Sequence, residues 1–283
     1  MSLNPYFLIF ELIILACFGL CLRHAWKQGF PVVWQLLAGV IFGLFLETAT
    51  IQQLHAYHYG NFYLMIGQVP LMVGVAWGTI IYSARLFSDA SSTPEWARPF
   101  LDGLLALNID LSMDALAIRL GMWDWGMGFK AQYFGVPYAN FWAWFWVVFS
   151  FSFGLRWLTR VETWRGRWLG PIGAILVGLV GVVGTNKLIV DVISANWYQT
   201  TIFLTLGIIL VLVIGLRPRF YVYPVNSLVW WVPFGFHAYF LTVGLVSGVI
   251  FHPPFLLIMS LAMVSISFAI HRPTIRRILK RNA

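Results

Sequence analysis

The sequence predicts an all-α, polytopic helical bundle, embedded in a membrane as a single transmembrane domain over residues 1–283. Three observations predict it. Hydrophobic residues make up 60% of the chain and charged residues 10%, with a mean hydropathy of +0.80, whereas soluble domains carry roughly 25% charged residues. The apolar residues fall in runs of about 20, the length that crosses about 30 Å of hydrocarbon. The 18 Lys and Arg residues sit between those runs and not along one face. The net charge of +8 therefore reads as membrane topology and not as a nucleic-acid-binding surface.

Nine runs qualify, so about nine transmembrane helices are expected. The first, near residues 5–22, opens at Pro5 with no basic region before it and no small-residue cleavage site after it, as a retained helix does. Its Cys17 and Cys21 lie one turn apart on one face, a spacing that suits packing and disfavours a disulfide. The second run, near 31–50, opens at Pro31 and the third, near 69–87, at Pro70. Proline is tolerated in a first turn because its missing donor would be unpaired there anyway. The fourth, near 100–120, is apolar except for its acids, and the fifth, near 138–158, is the most aromatic. The sixth, near 169–190, opens around Pro171, and the seventh covers 199–216. The eighth, near 229–250, contains Pro233, which is expected to kink it. The ninth, near 254–270, leads into a basic tail. Gly39 with Gly43, Gly74 with Gly78, and Gly244 with Gly248 form small-residue pairs that bring helices close, within one bundle or between chains alike.

Charge placement orients the bundle. With the amino terminus outside, the inner segments hold Arg23 and Lys27, Arg85 and Arg98, the group Arg156 to Arg167, Arg217 and Arg219, and the carboxy-terminal cluster. These are 15 of the 18 basic residues, leaving Arg119, Lys130 and Lys187 outside. Such a split follows the positive-inside rule for an N-out, C-in protein, expected in a bacterial cytoplasmic (inner) membrane.

Polar residues then converge on one region. Asp110 and Asp114 lie four apart in the fourth run, which places them on one helix face with Cβ atoms roughly 6 Å apart. A carboxylate at a bilayer centre costs roughly 2.5–3.5 kcal/mol on insertion scales, so intramembrane acids mark function by default. Glu47, near the outer end of the second run, falls in the same half of the membrane. The connection from Gln52 to Tyr63, with His55, His58 and Tyr59, is too polar and aromatic for a plain linker. Asp124, between Trp123 and Trp125, suits either an interfacial loop or the site, and Glu11 has no polar neighbours in sequence.

Acids among aromatic rings suggest carbocation chemistry. A carboxyl desolvated in an apolar site can stay protonated at neutral pH and donate its proton. Protonating a trisubstituted alkene gives a tertiary cation, which ring faces stabilise by about 2 kcal/mol each when desolvated. Water, deprotonated by a second carboxylate, captures that cation as a tertiary alcohol. The 15 Trp, 24 Phe and 11 Tyr exceed what interfacial belts need, which suits a long apolar ligand.

The runs from Tyr59 to Tyr63, Pro70 to Trp77, Asp110 to Asp114, Gly121 to Trp125 and Tyr133 to Trp144 together resemble the polytopic carotenoid biosynthesis protein family. The resemblance covers about residues 40–145. It extends to the acyclic carotenoid 1,2-hydratases, of the bacterioruberin type, which add water to terminal isoprenoid double bonds. Ala115 follows Asp114 where the resemblance leads to an expected proline, and Ala143 stands where glycine is expected. The resemblance implies a hydro-lyase with Asp110 and Asp114 as the acid and base and Glu47 as a third polar member. Trp123, Tyr133, Asn140 and Trp144 would shape the substrate pocket. His55, His58, Tyr59, Trp77, Asn108 and Asp124 complete the candidate substrate-binding set.

Three other readings are carried. An acid-initiated isoprenoid cyclase differs only in that an internal alkene captures the cation. A magnesium-dependent prenyltransferase would use Asn108, Asp110 and Asp114 as an aspartate-rich motif, with Asp191 near Asn186 as the remnant of a second. A proton-coupled carrier would use the same acids, although no inverted repeat is visible. Six His, with only His55 and His58 close together, are too few for a histidine-rich di-metal centre. No nucleotide-binding loop or cysteine metal motif occurs. The expected partners are a lipophilic isoprenoid or carotenoid, water and membrane lipid, with no cofactor and no metal.

Overall fold

A computed structural model describes residues 4–54, 57–161, 163–223 and 225–282. Among them the chain forms ten α-helices: α1 (Pro5–Gln28), α2 (Phe30–Leu54), α3 (Leu71–Asp89), α4 (Arg98–Arg119), α5 (Tyr138–Thr159), the short α6 (Trp164–Trp168), α7 (Gly170–Lys187), α8 (Ala195–Gly215), α9 (Leu228–Ser247) and α10 (Phe255–Asn282). The nine long helices overlap the nine predicted runs, and α10 carries on through the basic tail. The chain is an all-α integral membrane bundle.

Eight of these helices are long and apolar enough to cross a membrane. The predicted run outside that set is the fourth, α4, which has 22 residues but carries Asp102, Asp110, Asp114 and Arg119. Its surroundings explain how it keeps them. α4 packs against α3, α5, α9 and α10, and the faces bearing all three aspartates are buried. Protein on every side supplies hydrogen-bond partners that lipid cannot. The outer layer is the reverse: α8 is 17% buried and α10 22%, against 78% for α3.

α2 and α3 show why the small residues matter. A Cβ on Gly78 would meet Val40 at 2.6 Å, and one on Gly43 would meet the Cβ of Trp77 at the same distance. At Gly78 that Cβ would also meet the Val40 backbone nitrogen at 2.8 Å, and at Gly43 the Trp77 side chain fills the space. Gly78→Leu would have to force the two helices apart, and about 1–3 kcal/mol of stability should be lost, seen as a lower unfolding midpoint in detergent. An unchanged midpoint would refute this contact. Gly248 belongs to a different class from the pairs expected in sequence: it ends α9 at φ 77°, a turn residue and not a packing face. Cys17 and Cys21 are buried free thiols, and Pro233 sits inside a continuous α9.

The two ends of the bundle are built differently. At one end, Arg156 of α5 pairs with Asp89 of α3 and, at 3.0 Å, with Asp102 of α4, and donates to Ser88 Oγ at 2.8 Å. Arg98 adds a contact to Asp89 at 3.2 Å, and Ser152 Oγ donates to Asp102 at 2.5 Å. At the other end, two connections are stitched by short strands. β1 (His58–Tyr59) runs antiparallel to a strand at Trp123–Asp124, while Met65–Ile66 and Val69–Pro70 form a hairpin. Numbered in chain order, these are β2 (Met65–Ile66), β3 (Val69–Pro70) and β4 (Trp123–Asp124). The register sets Tyr59 opposite Trp123 and His58 opposite Asp124. Alternation of side chains in a strand then sends the first pair inward and the second outward, and Trp123 is buried while His58 and Asp124 are exposed.

Candidate functional site

Beneath the β1–β4 stitch lies a cavity of about 510 Å³, walled by α2, α3, α4, α5 and α7 and by the two stitched connections. Its lining is apolar and aromatic, with Trp77, Trp123, Trp125 and Trp144 among the rings and three carboxyl groups, Glu47 and Asp114 in the wall and Asp191 just beyond the end of α7.

Glu47 comes from the last turns of α2 and is 5% exposed. Three donors hold it. Trp77 Nε1 donates to Oε1 at 2.7 Å, Tyr59 donates to Oε2 at 2.8 Å, and the Tyr57 hydroxyl donates to the same oxygen. Both tyrosines lie in the α2–α3 connection. Burial, with the adjacent Glu47 charge second, holds their hydroxyls well above the ordinary phenol range, so they remain donors. Both oxygens of Glu47 are thus held as acceptors by donors from α3 and the α2–α3 connection.

Asp114 faces the cavity from α4. Trp123 Nε1 donates to its Oδ1 at 2.5 Å and Asn140 Nδ2 to its Oδ2 at 2.6 Å. The same Asn140 amide reaches Asp110 at 3.3 and 3.4 Å. Asp110 is fully enclosed and does not line the cavity. The two aspartates, equivalent in sequence, are thus distinguished by depth. Four residues advance a helix by about 6 Å, enough to put Asp114 on the wall and Asp110 behind Asn140.

The aromatic contacts form a continuous lining. Trp77 and Trp144 approach to 4.4 Å between ring centroids, Tyr57 lies 4.5 Å from Trp125, and Tyr59 sits edge-on to Trp123 at 6.0 Å. Two polar atoms in this wall are buried without a protein partner: Trp125 Nε1 and Asn186 Oδ1. One can donate and the other accept, so the wall is equipped to hold a water or hydroxyl.

Of the residues singled out in sequence, Glu47, Tyr59, Trp77, Asp114, Trp123, Asn140 and Trp144 come together here. Others do not reach the cavity. Asn108 turns to the opposite side of α4, where its Oδ1 bonds His237 at 3.1 Å and its Nδ2 bonds the Met263 carbonyl at 3.1 Å. Tyr133 donates to the Leu111 carbonyl at 2.9 Å and packs on Phe134 and Phe141. His58 is exposed, and Asp124 accepts from the Gly126 amide in a surface turn. His55 lies outside the described residues. Tyr57 and Trp125 were within segments the sequence marked as aromatic, but nothing distinguished them from belt residues. Asn186, Lys187 and Asp191 also line the cavity; the sequence offered Asn186 and Asp191 only to the prenyltransferase reading and Lys187 only as an outer charge. His237, in the relay Ser112–His237–Asn108, carried one weak signal, a histidine inside an apolar run.

A model of the carotenoid biosynthesis protein family matches residues 3–214. That span includes every polar residue of the cavity wall. No curated protein and no solved structure matches the chain.

Proposed function

Since the chain belongs to the carotenoid biosynthesis protein family, we propose that it is a membrane enzyme that hydrates a terminal C=C of a lipophilic isoprenoid to a tertiary alcohol. The observation that carries the reading is that Asp114 and Glu47, from different helices, sit on the wall of one aromatic-lined cavity. Asp114, with Asp110 behind it on the same Asn140 amide, is the acid. It transfers its carboxyl proton to the less substituted alkene carbon, leaving a tertiary cation among Trp77, Trp144 and Trp123. A water gives its oxygen to the cation and its proton to Glu47, and return of that proton to Asp114 closes the cycle with one water consumed.

The unpartnered Trp125 Nε1 and Asn186 Oδ1 favour water over an internal alkene as the captor, and so favour hydration over cyclisation. The prenyltransferase reading loses support because Asn108 and Asp110 do not face the cavity with Asp114. The experiment is expression in a bacterial host that makes an acyclic carotenoid, followed by mass analysis of the pigments. The native chain should add the mass of one water per modified end. Glu47→Gln, which keeps the shape but removes the base, should lower that product by about 10²-fold or more. A new pigment of unchanged mass would replace hydration with cyclisation or isomerisation, and an untouched pigment would end this reading.

A further inference from the structure

The cavity has a door, and α2 and α7 frame it. At one end these helices are fastened together. Trp34 Nε1 of α2 donates to the Trp168 carbonyl just before α7, at 2.9 Å, and Gly178 lies so close to Phe42 that a Cβ there would meet the ring at 2.7 Å. Further along, Leu46, Ala49 and Thr50 on α2 and Leu179, Val183 and Asn186 on α7 line the cavity. Val183 is 41% exposed, and Val190, which also lines the cavity, 59%. Lining residues this exposed lie where protein covers the cavity least. α7 then passes into a π-turn over Leu188–Val192, a widening of the helix that recurs at functional sites.

The surroundings of this mouth identify what passes through it. The outer face of α7 is apolar, with Leu176 and Val180 exposed, so the seam opens onto lipid, and Lys187 and Asp191 lie only at its far end. The α2 lining residues Leu46 to Thr50 span roughly 6 Å along the helix axis at 1.5 Å per residue. A cavity of about 510 Å³ is mid-range for a drug-sized ligand, whereas an extended carotenoid chain approaches the roughly 30 Å of the hydrocarbon layer. It is held only in part.

We propose that the α2–α7 seam is a lateral portal that admits one end of a long isoprenoid chain from the bilayer, the remainder staying in lipid, so that the two ends react in separate visits. This rests on the isoprenoid substrate class of the proposed function, and not on hydration. The test uses the purified full chain in detergent with Val183→Cys, the native thiols being buried, and a fluorescent apolar maleimide with and without the acyclic polyene lycopene. Lycopene should slow labelling about fivefold at saturating occupancy, with no effect on Val180→Cys, which sits on the outer face of the same helix. Val183→Trp should likewise lose lycopene copurification about fivefold, and Val180→Trp should keep it. Equal labelling of Val183→Cys with and without lycopene, or equal slowing at both positions, overturns the portal. Protection without any hydrated product upholds the portal and removes the hydratase; hydration without protection does the opposite.

Discussion

Asp114→Asn should abolish the product, with turnover lower by about 10²–10⁴-fold, the usual contribution of a positioned general acid. Membrane expression should be unchanged. The substitution keeps the shape and leaves an oxygen to accept from Trp123 Nε1, so the fold loses little while the transferable proton is gone. Asp110→Asn makes the informative contrast. Asp110 reaches the cavity only through Asn140, and its substitution should cost at least tenfold less than that of Asp114. Pigment analysis of both variants in the same host gives the ratio. Full activity in Asp114→Asn would rule out the proposed chemistry, and equal losses in both would mean that the pair acts as one titrating unit.

At the opposite end of the bundle, Arg156→Met should destabilise the protein by about 3–5 kcal/mol, the usual result of removing one partner of a buried ion pair. Arg156 ties three helices through Asp89, Ser88 and Asp102, and Asp102 is completely buried. Its Oδ1 has no hydrogen-bond partner and its Oδ2 would keep only Ser152, so loss of Arg156 strands a charge inside the bundle. Adding Asp102→Leu should recover most of the loss, because the uncompensated carboxylate is then absent. Unfolding in detergent measures both. A single variant as stable as the native chain would show that the network contributes nothing to stability.

The sequence made some of this legible and not the rest, for reasons that differ residue by residue. The membrane helices were readable because crossing hydrocarbon demands a long apolar run and leaves no alternative. α4 was readable as a site-bearing helix for the opposite reason, that its aspartates violate the same demand. Trp123 and Asn140 were found because they stand in recognisable runs that follow those acids, and Glu47 because it is itself an acid near the end of an apolar run. Asn108 and Tyr133 were placed in the site on the same ground and are not in it. Neighbours in sequence on a helix diverge by about 100° per residue, so Asn108 meets His237 and not the cavity. Asn186 and Lys187 were visible only as part of a weak second motif and as an outer charge, since they reach the site through the packing of α7 on α2 and α5.

What the sequence determined by itself was therefore the environment and its anomaly: apolar runs that must be helices in a membrane, and acids in one run that must be enclosed by protein. Both follow from local composition against a fixed solvent. Which acid meets the cavity, which aromatic N–H groups hold Glu47 and Asp114, and where the wall opens were decided by tertiary structure. Those depend on helix depth, on the pairing of β1 with β4 and on glycine contacts between helices far apart in sequence, and no single segment encodes them.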